Sequence, residues 1–342
     1  MQRYKYLDIA RGIGLMLVII SHSSGLSSYL INFYIPLFFV LSGYVYKPGR
    51  SYAENVSRKA KRLLVPYFGY SALLFAFYAL TGRSAEEMKL SLFGVFYSRF
   101  CLYPAAAEEN VYLFTIANGA MWYLTAFFVA GLLYHLVVDR CLKSRGFLVG
   151  CLVILTVVTM ALYALPVLLP WSIDLIGAAV FFMLAGTLLG RAQFFEKKWN
   201  IPLILAVLVG YIALSTVNPG INMSLREYGA YGAFSVPLFL AIGLGGSMLC
   251  IWLGKLIEKL AAGRVLSYIG QHTILLLSLH IFGLEMFERI AGRFMDPHAL
   301  TGVGFAVYHT VRVVVVVCGL LIFGKLLELV KAKIGGCRKK EA

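Results

Sequence analysis

The chain has 342 residues, of which 60% are hydrophobic and 14% charged, with a mean hydropathy of +0.81 and a formal net charge of +15. Soluble domains average roughly 45–50% apolar and about 25% charged residues, so a soluble enzyme is excluded and a polytopic membrane protein is expected. The apolar runs far exceed the ~10-residue alternating strands of a membrane barrel, and no long polar stretch remains for a separate soluble domain. The reading is therefore all-α: one transmembrane domain over residues 1–342.

Apolar runs of about 17–25 residues mark helical spans. In chain order, about ten transmembrane helices are expected, at roughly 9–29, 32–47, 63–81, 119–138, 147–168, 173–190, 200–217, 231–252, 265–287 and 303–327. The first is no cleavable signal peptide, because Arg11 interrupts it and no cleavage site follows. The second is short and contains Pro36, Ser42 and Gly43. An outer loop is expected at about 82–118, with the acidic pairs Glu86–Glu87 and Glu108–Glu109, and a basic tail at about 329–342. A loop of that length is either a binding element or a solvated connection with an interfacial helix. The six cysteines are scattered without a C-x-x-C pair, so neither a metal site nor a disulfide framework is expected.

The basic residues orient this arrangement. With the N-terminus inside, cytoplasmic ends and loops carry 23 of the 31 Lys and Arg residues and the outer loops six, leaving Arg11 and Arg312 within spans. Such an asymmetry predicts an even number of spans with both termini cytoplasmic. It also accounts for most of the net charge without nucleic acid. The expected location is the inner or plasma membrane.

Charged groups inside spans cost about 2.5–3.5 kcal/mol each on insertion scales, so each needs a reason. Arg11 and His22 are eleven residues apart, close to three whole turns, and share one helix face with a rise of roughly 16 Å. Asp8 is placed to pair with Arg11, but it lies too far from His22 to orient it. A partner for His22 must come from another helix. Arg11 reads either as a topological anchor or as a cation for a phosphate-bearing ligand. His22 reads either as an interhelical hydrogen bond or as a general base. Further along, Trp122 and Tyr123 open the fourth span and are either belt aromatics or substrate contacts. Asp174 opens the sixth and is either a helix cap or a substrate contact. His280 and Glu285 lie in the ninth. His309 and Arg312 share a face of the tenth, and Arg312 is expected to meet a ligand or a partner such as Glu285. The loop "SRKAKRLLVPYF" brings Arg58, Lys59, Lys61 and Arg62 to the third span, for topology and anionic lipid or for donor phosphates.

The segments "YLDIARGIGLMLVIISHSS", "FYIPLFFVLSGYVYK", "KRLLVPYFGYS" and "MWYL", followed by "DLIGAAVFFMLAGTLLG" and "IGQHTILLLSLH", resemble the acyltransferase family 3 membrane proteins over most of the chain. The nearest flavour is the fucose 4-O-acetylase-like and O-antigen acetylase group. An Arg-x10-His motif of that family falls on Arg11 and His22, and a basic motif falls on Lys61 and Arg62 before Pro66 and Tyr67. The resemblance implies about ten helices and acyl transfer from cytoplasmic acyl-CoA, here acetyl-CoA, to a hydroxyl of an envelope glycan or lipid-linked sugar. It implies a catalytic role for His22 and donor binding by Arg11, Lys61 and Arg62.

The expected mechanism follows. The acyl-CoA phosphates meet Arg11, Lys61 and Arg62, the pantetheine arm runs along the first helix, and His22 takes the proton of an acceptor hydroxyl that attacks the thioester. Trp122, Tyr123 or Ser42 are candidate donors to the oxyanion. A covalent acyl-enzyme on Ser21 or Ser23 would need a base other than His22, since adjacent helical residues do not face each other. Trp122, Tyr123, Asp174, His280 and Arg312 are secondary substrate-binding candidates. Membrane lipids are the other expected partners, with no metal and no nucleic acid, and a homodimer is one open oligomeric state. The rival class is a polytopic transporter or flippase, which buried charges and broken short helices would also suit.

Overall fold

The computed structural model describes the backbone of residues 4–104, 110–113 and 116–338 and the side chains as far as residue 329. Arg3, Glu108, Glu109 and the last four residues of the basic tail lie outside it. Thirteen α-helices follow one another. They are α1 (Lys5–Ser24), α2 (Ser28–Ile31), α3 (Tyr34–Tyr44), α4 (Tyr52–Leu80), α5 (Ala85–Tyr97), α6 (Trp122–Lys143) and α7 (Arg145–Tyr163). Then come α8 (Ile176–Arg191), α9 (Ile201–Val217), α10 (Val236–Leu256), α11 (Ala261–Gln271), α12 (Thr273–Ala291) and α13 (Gly302–Arg338).

Among the described residues, seven helical segments are long and apolar enough to cross a membrane: those built on α1, α4, α6, α7, α8, α10 and α13. Two further apolar helices, Ser28–Tyr44 and α9, are shorter. The expected span at 265–287 is two helices rather than one. His272 leaves helical geometry between α11 and α12 (φ −101°, ψ 23°), and its Nδ1 lies 2.9 Å from the Tyr268 carbonyl oxygen. The Thr273 hydroxyl caps the break by donating to the Gly270 carbonyl at 2.7 Å.

Local chemistry sets several helix starts. Ser51 with Glu54 and Ser84 with Glu87 form capping boxes at the starts of α4 and α5. Arg83 hydrogen-bonds Glu87 at 2.7 Å, which holds that carboxyl below the usual range. Ser144 and Asn200 accept from the third residue of α7 and α9.

Small residues set the closest crossings. A Cβ on Gly43 would stand 1.8 Å from the Met183 carbonyl oxygen, and one on Gly186 would stand 2.0 Å from that of Val40, so α3 and α8 touch backbone to backbone. The same holds for α1 and α11, through Gly12 on Leu266 and Gly270 on Asp8. Helices in lipid gain from such contacts because burial from water no longer drives them together.

The connections sort onto two faces. One holds the start of α1, where Lys5 donates to the Glu258 carbonyl at 2.7 Å and Tyr6 hydrogen-bonds Glu196 and Tyr44. On the other, Ser23 at the end of α1 meets His309 of α13 at 3.0 Å, and Tyr78 at the end of α4 donates to Glu285 at 2.6 Å. The expected inner connections at Tyr46 and Asp139, at Glu196 and at Glu258 lie on the first, basic face, and the expected outer ones at Ser23, Tyr78 and Glu285 lie on the second. The described part of the long outer loop folds across that second face. Tyr97 donates to the Leu168 carbonyl at 2.7 Å, and Cys101 bridges Tyr112 in an antiparallel pair.

Candidate active site

A cavity of about 590 Å³ opens on the basic face. Its walls carry Arg11, Lys47, Arg50, Arg58, Lys59 and Arg62, with Asp8 as the one carboxylate. Asp8 is buried and holds Arg11 at 2.8 Å, as its place one turn earlier predicts. Lys59 lies over the Phe127 ring at 4.5 Å and reaches across α6 at Gly131, where a Cβ would stand 2.6 Å from its Cδ. The α11–α12 break also lines this cavity, since the one non-helical residue His272 and the helix ends Gly270, Gln271 and Thr273 on either side of it are all in its wall. The N-terminus of α12, without a side-chain cap on its amides, therefore borders the same cavity as the basic side chains.

Two expected residues fall elsewhere. Lys61 is exposed and is not in the cavity wall, although Arg58 and Arg62 are. Trp122 is buried 5.8 Å from the Arg99 guanidinium and lines neither this cavity nor the one described next. Tyr123 does line the basic cavity. Its ring packs on Phe38, Phe39 and Phe127, and its buried hydroxyl has no hydrogen-bond partner among the described residues. Ser42 lies in the same wall.

A second cavity, of about 430 Å³, lies on the opposite face. It is lined by His22, Ser23 and Ser24 of α1, by Glu288 of α12, by the 297–300 turn and by Tyr308, His309 and Arg312 of α13. His22 is open to this space, and its ring meets His280 of α12 at 5.2 Å between centroids. That is the partner from another helix which the spacing of α1 requires. His280 is inaccessible to solvent, and its Nδ1 lies 3.0 Å from both the Leu276 and the Leu277 carbonyl oxygens. Carbonyls only accept, so Nδ1 carries the proton and Nε2 is a bare lone pair. That Nε2 is buried with no hydrogen-bond partner among the described residues. Leu277 is itself in the wall of the basic cavity. One turn of α12 thus has Leu277 against one cavity and His280 against the histidine of the other.

Arg312 does not pair with Glu285. It binds Glu288 at 2.5 Å and the Leu284 carbonyl at 3.0 Å. Glu285 is held instead by Tyr78 at 2.6 Å and Arg289 at 2.5 Å. Asp174, a candidate helix cap or substrate contact, is bound by two arginines and lines neither cavity. Both its oxygens lie 2.6 Å from Arg99, and Arg226 adds a third bond at 3.2 Å. All three side chains are sealed from solvent, at no more than 1% exposed. Connections on the second face are tied together here, since Arg99 also donates to the Ser224 and Leu169 carbonyls and Arg226 to those of Val167 and Leu165. Both arginines read as solvated loop charges in the sequence, and no local signal marks them as buried. His135 was also missed. It lines the basic cavity, but in "LLYHLVV" it looks like an ordinary core residue.

The match to known families covers both cavities. A family model described as an acyltransferase domain, Acyl_transf_3, matches residues 4–324. The chain belongs to acyltransferase family 3. It is a multi-pass membrane member of that family, and the matched stretch takes in every cavity residue named above. No curated protein and no solved structure matches the chain.

Proposed function

We propose that this acyltransferase moves an acyl group, acetyl in the simplest case, from cytoplasmic acyl-CoA to a hydroxyl of an envelope carbohydrate or lipid-linked sugar on the far side of the membrane. One observation carries the reading: two cavities open on opposite faces, and helix α1 lines both, with Arg11 in the wall of the first and His22 in the wall of the second.

The basic face is the cytoplasmic one, since it carries the excess of Lys and Arg. Arg11, Arg58, Lys59 and Arg62, with the start of α12, hold the donor phosphates by charge-assisted hydrogen bonds. Asp8 keeps Arg11 in place. The pantetheine arm runs along α1 over the roughly 16 Å to His22, and the unpaired Tyr123 hydroxyl donates to a carbonyl of that arm. The acceptor enters the second cavity. His22 takes its hydroxyl proton, and the alkoxide attacks the thioester carbonyl. The unprotonated Nε2 of His280 faces the region of His22 and favours the His22 tautomer whose other nitrogen is free to act as base.

Sealed, oriented membrane vesicles test this. Radiolabelled acetyl-CoA supplied at the basic face is expected to label envelope glycan supplied at the opposite face, with stoichiometric thiol release. Movement of an unmodified solute without thioester loss would assign the protein to transport instead.

A further inference from the structure

Ser23 follows His22 directly, but it points to a different helix. Its hydroxyl lies 3.0 Å from Nδ1 of His309 on α13. Both residues line the cavity that His22 lines. A serine in hydrogen-bond contact with an imidazole, beside the space where acyl transfer is proposed, has the arrangement of an activated nucleophile. The base comes from α13, which removes the objection that neighbours on one helix cannot activate each other.

We propose that Ser23 is an acylation site and His309 its base, so that the acyl group pauses on the protein as a seryl ester between donor and acceptor. This rests on the acyltransferase reading above. In the first half-reaction, Ser23 gives its proton to Nδ1 of His309 and Oγ bonds to the thioester carbonyl carbon. The carbon–sulfur bond then breaks and the sulfur leaves as thiolate, while the proton stays on His309. In the second half-reaction, His22 takes the proton of the acceptor hydroxyl, and the acceptor oxygen bonds to the ester carbonyl carbon. The bond from that carbon to Oγ breaks, and His309 returns its proton to Ser23. His22 then releases its own proton to water, so the sum is one ester gained, one thioester lost, and a thiolate and a proton released.

The two cavities give this relay its reason. Direct transfer needs the thioester carbon and the acceptor oxygen held at about 3–3.5 Å from each other at one moment, although they arrive from opposite faces. A seryl ester lets the donor leave before the acceptor binds. It also divides the labour between two imidazoles on different helices, His309 cycling the serine proton and His22 serving the acceptor.

The division predicts an outcome that direct transfer forbids. Purified full-length His22→Ala, given radiolabelled acetyl-CoA without acceptor, is expected to release about one thiol per protein and to retain one label on the peptide containing Ser23, as a burst without turnover. Wild type without acceptor is expected to show the same ester, and to lose it when envelope glycan is added. Ser23→Ala is expected to form no adduct and to lose transfer by at least about 100-fold, the lower range for a positioned acid–base or nucleophilic group. His309→Gln, which preserves a hydrogen bond to Ser23, is expected to slow the burst by a similar factor. Wild type that transfers label without an ester on Ser23, or Ser23→Ala that transfers at near wild-type rate, overturns the relay and leaves direct transfer standing. Wild type that releases no thiol under any condition overturns the acyltransferase reading and the relay together.

Discussion

Arg11 and Arg99 show how two arginines of one membrane protein take on different work. The Arg11 side chain is 28% exposed and faces a cavity in which it is one of several cations. The Arg99 side chain is 0% exposed, and its carboxylate partner is shared with Arg226. Arg11→Ala is therefore expected to weaken donor binding by roughly 10- to 100-fold, the worth of a charge-assisted hydrogen bond, and to lower thermal stability less than loss of the sealed Asp174 pairing does, since the Arg11 side chain is partly exposed. Unchanged affinity for acetyl-CoA in a direct binding measurement would remove its assigned part. Asp174→Asn is expected to do the reverse. It leaves two buried guanidiniums without a counter-charge and should cost about 3–5 kcal/mol, seen as a large drop in the unfolding midpoint of the detergent-solubilised protein. The sequence separates these cases only in part. Arg11 and His22 stand out because the helical period places both on one face of a single apolar run. Asp174 stands out too, but its arginine partners come from loops 75 and 52 residues away, and no local pattern carries that information.

At the scale of elements, glycine decides which helices touch. Gly186 lies on α8 with Val40 of α3 against it, and an added side chain there would have to displace backbone rather than a flexible side-chain tip. Gly186→Val is expected to cost more than about 3 kcal/mol, beyond the usual range for overpacking, and to lower the yield of folded protein. Gly210 on α9 has nothing within 4 Å of its missing Cβ, so Gly210→Ala is expected to be tolerated and to gain up to about 1 kcal/mol of helix propensity. Equal effects of the two substitutions on the unfolding midpoint would contradict the packing account. Hydropathy locates most of these elements, since a span is a statement about length and apolarity. It fails at 265–287, where the short polar stretch Gln271–His272–Thr273 is averaged into the apolar residues around it and the backbone breaks at His272. The break is set by Gly270 against α1 and by the Thr273 hydroxyl, both of which are tertiary or capping effects invisible to a hydropathy window. That same break exposes the start of α12 to the basic cavity, so the departure from a simple span belongs to the proposed donor site.

On the scale of the whole molecule, the protein holds polar chemistry in two separate cavities that share helix α1 as a wall. The basic cavity is built from the ends of α1, α3 and α4 and the α11–α12 break, and the opposite cavity from α1, α12 and α13. Helix α1 borders both, which is why a single motif near its two ends marks the whole path. The second cavity was the less legible one, because His22, His280, His309 and Arg312 come together only when α12 and α13 fold back on α1. Transfer of label from acetyl-CoA to envelope glycan by purified wild type, set beside His22→Ala with its fold checked by thermal unfolding, tests the central claim most directly. The account predicts label in glycan with wild type and, with His22→Ala, a loss of at least about 100-fold at unchanged acetyl-CoA affinity. A folded His22→Ala protein that labels glycan at the wild-type rate would contradict it.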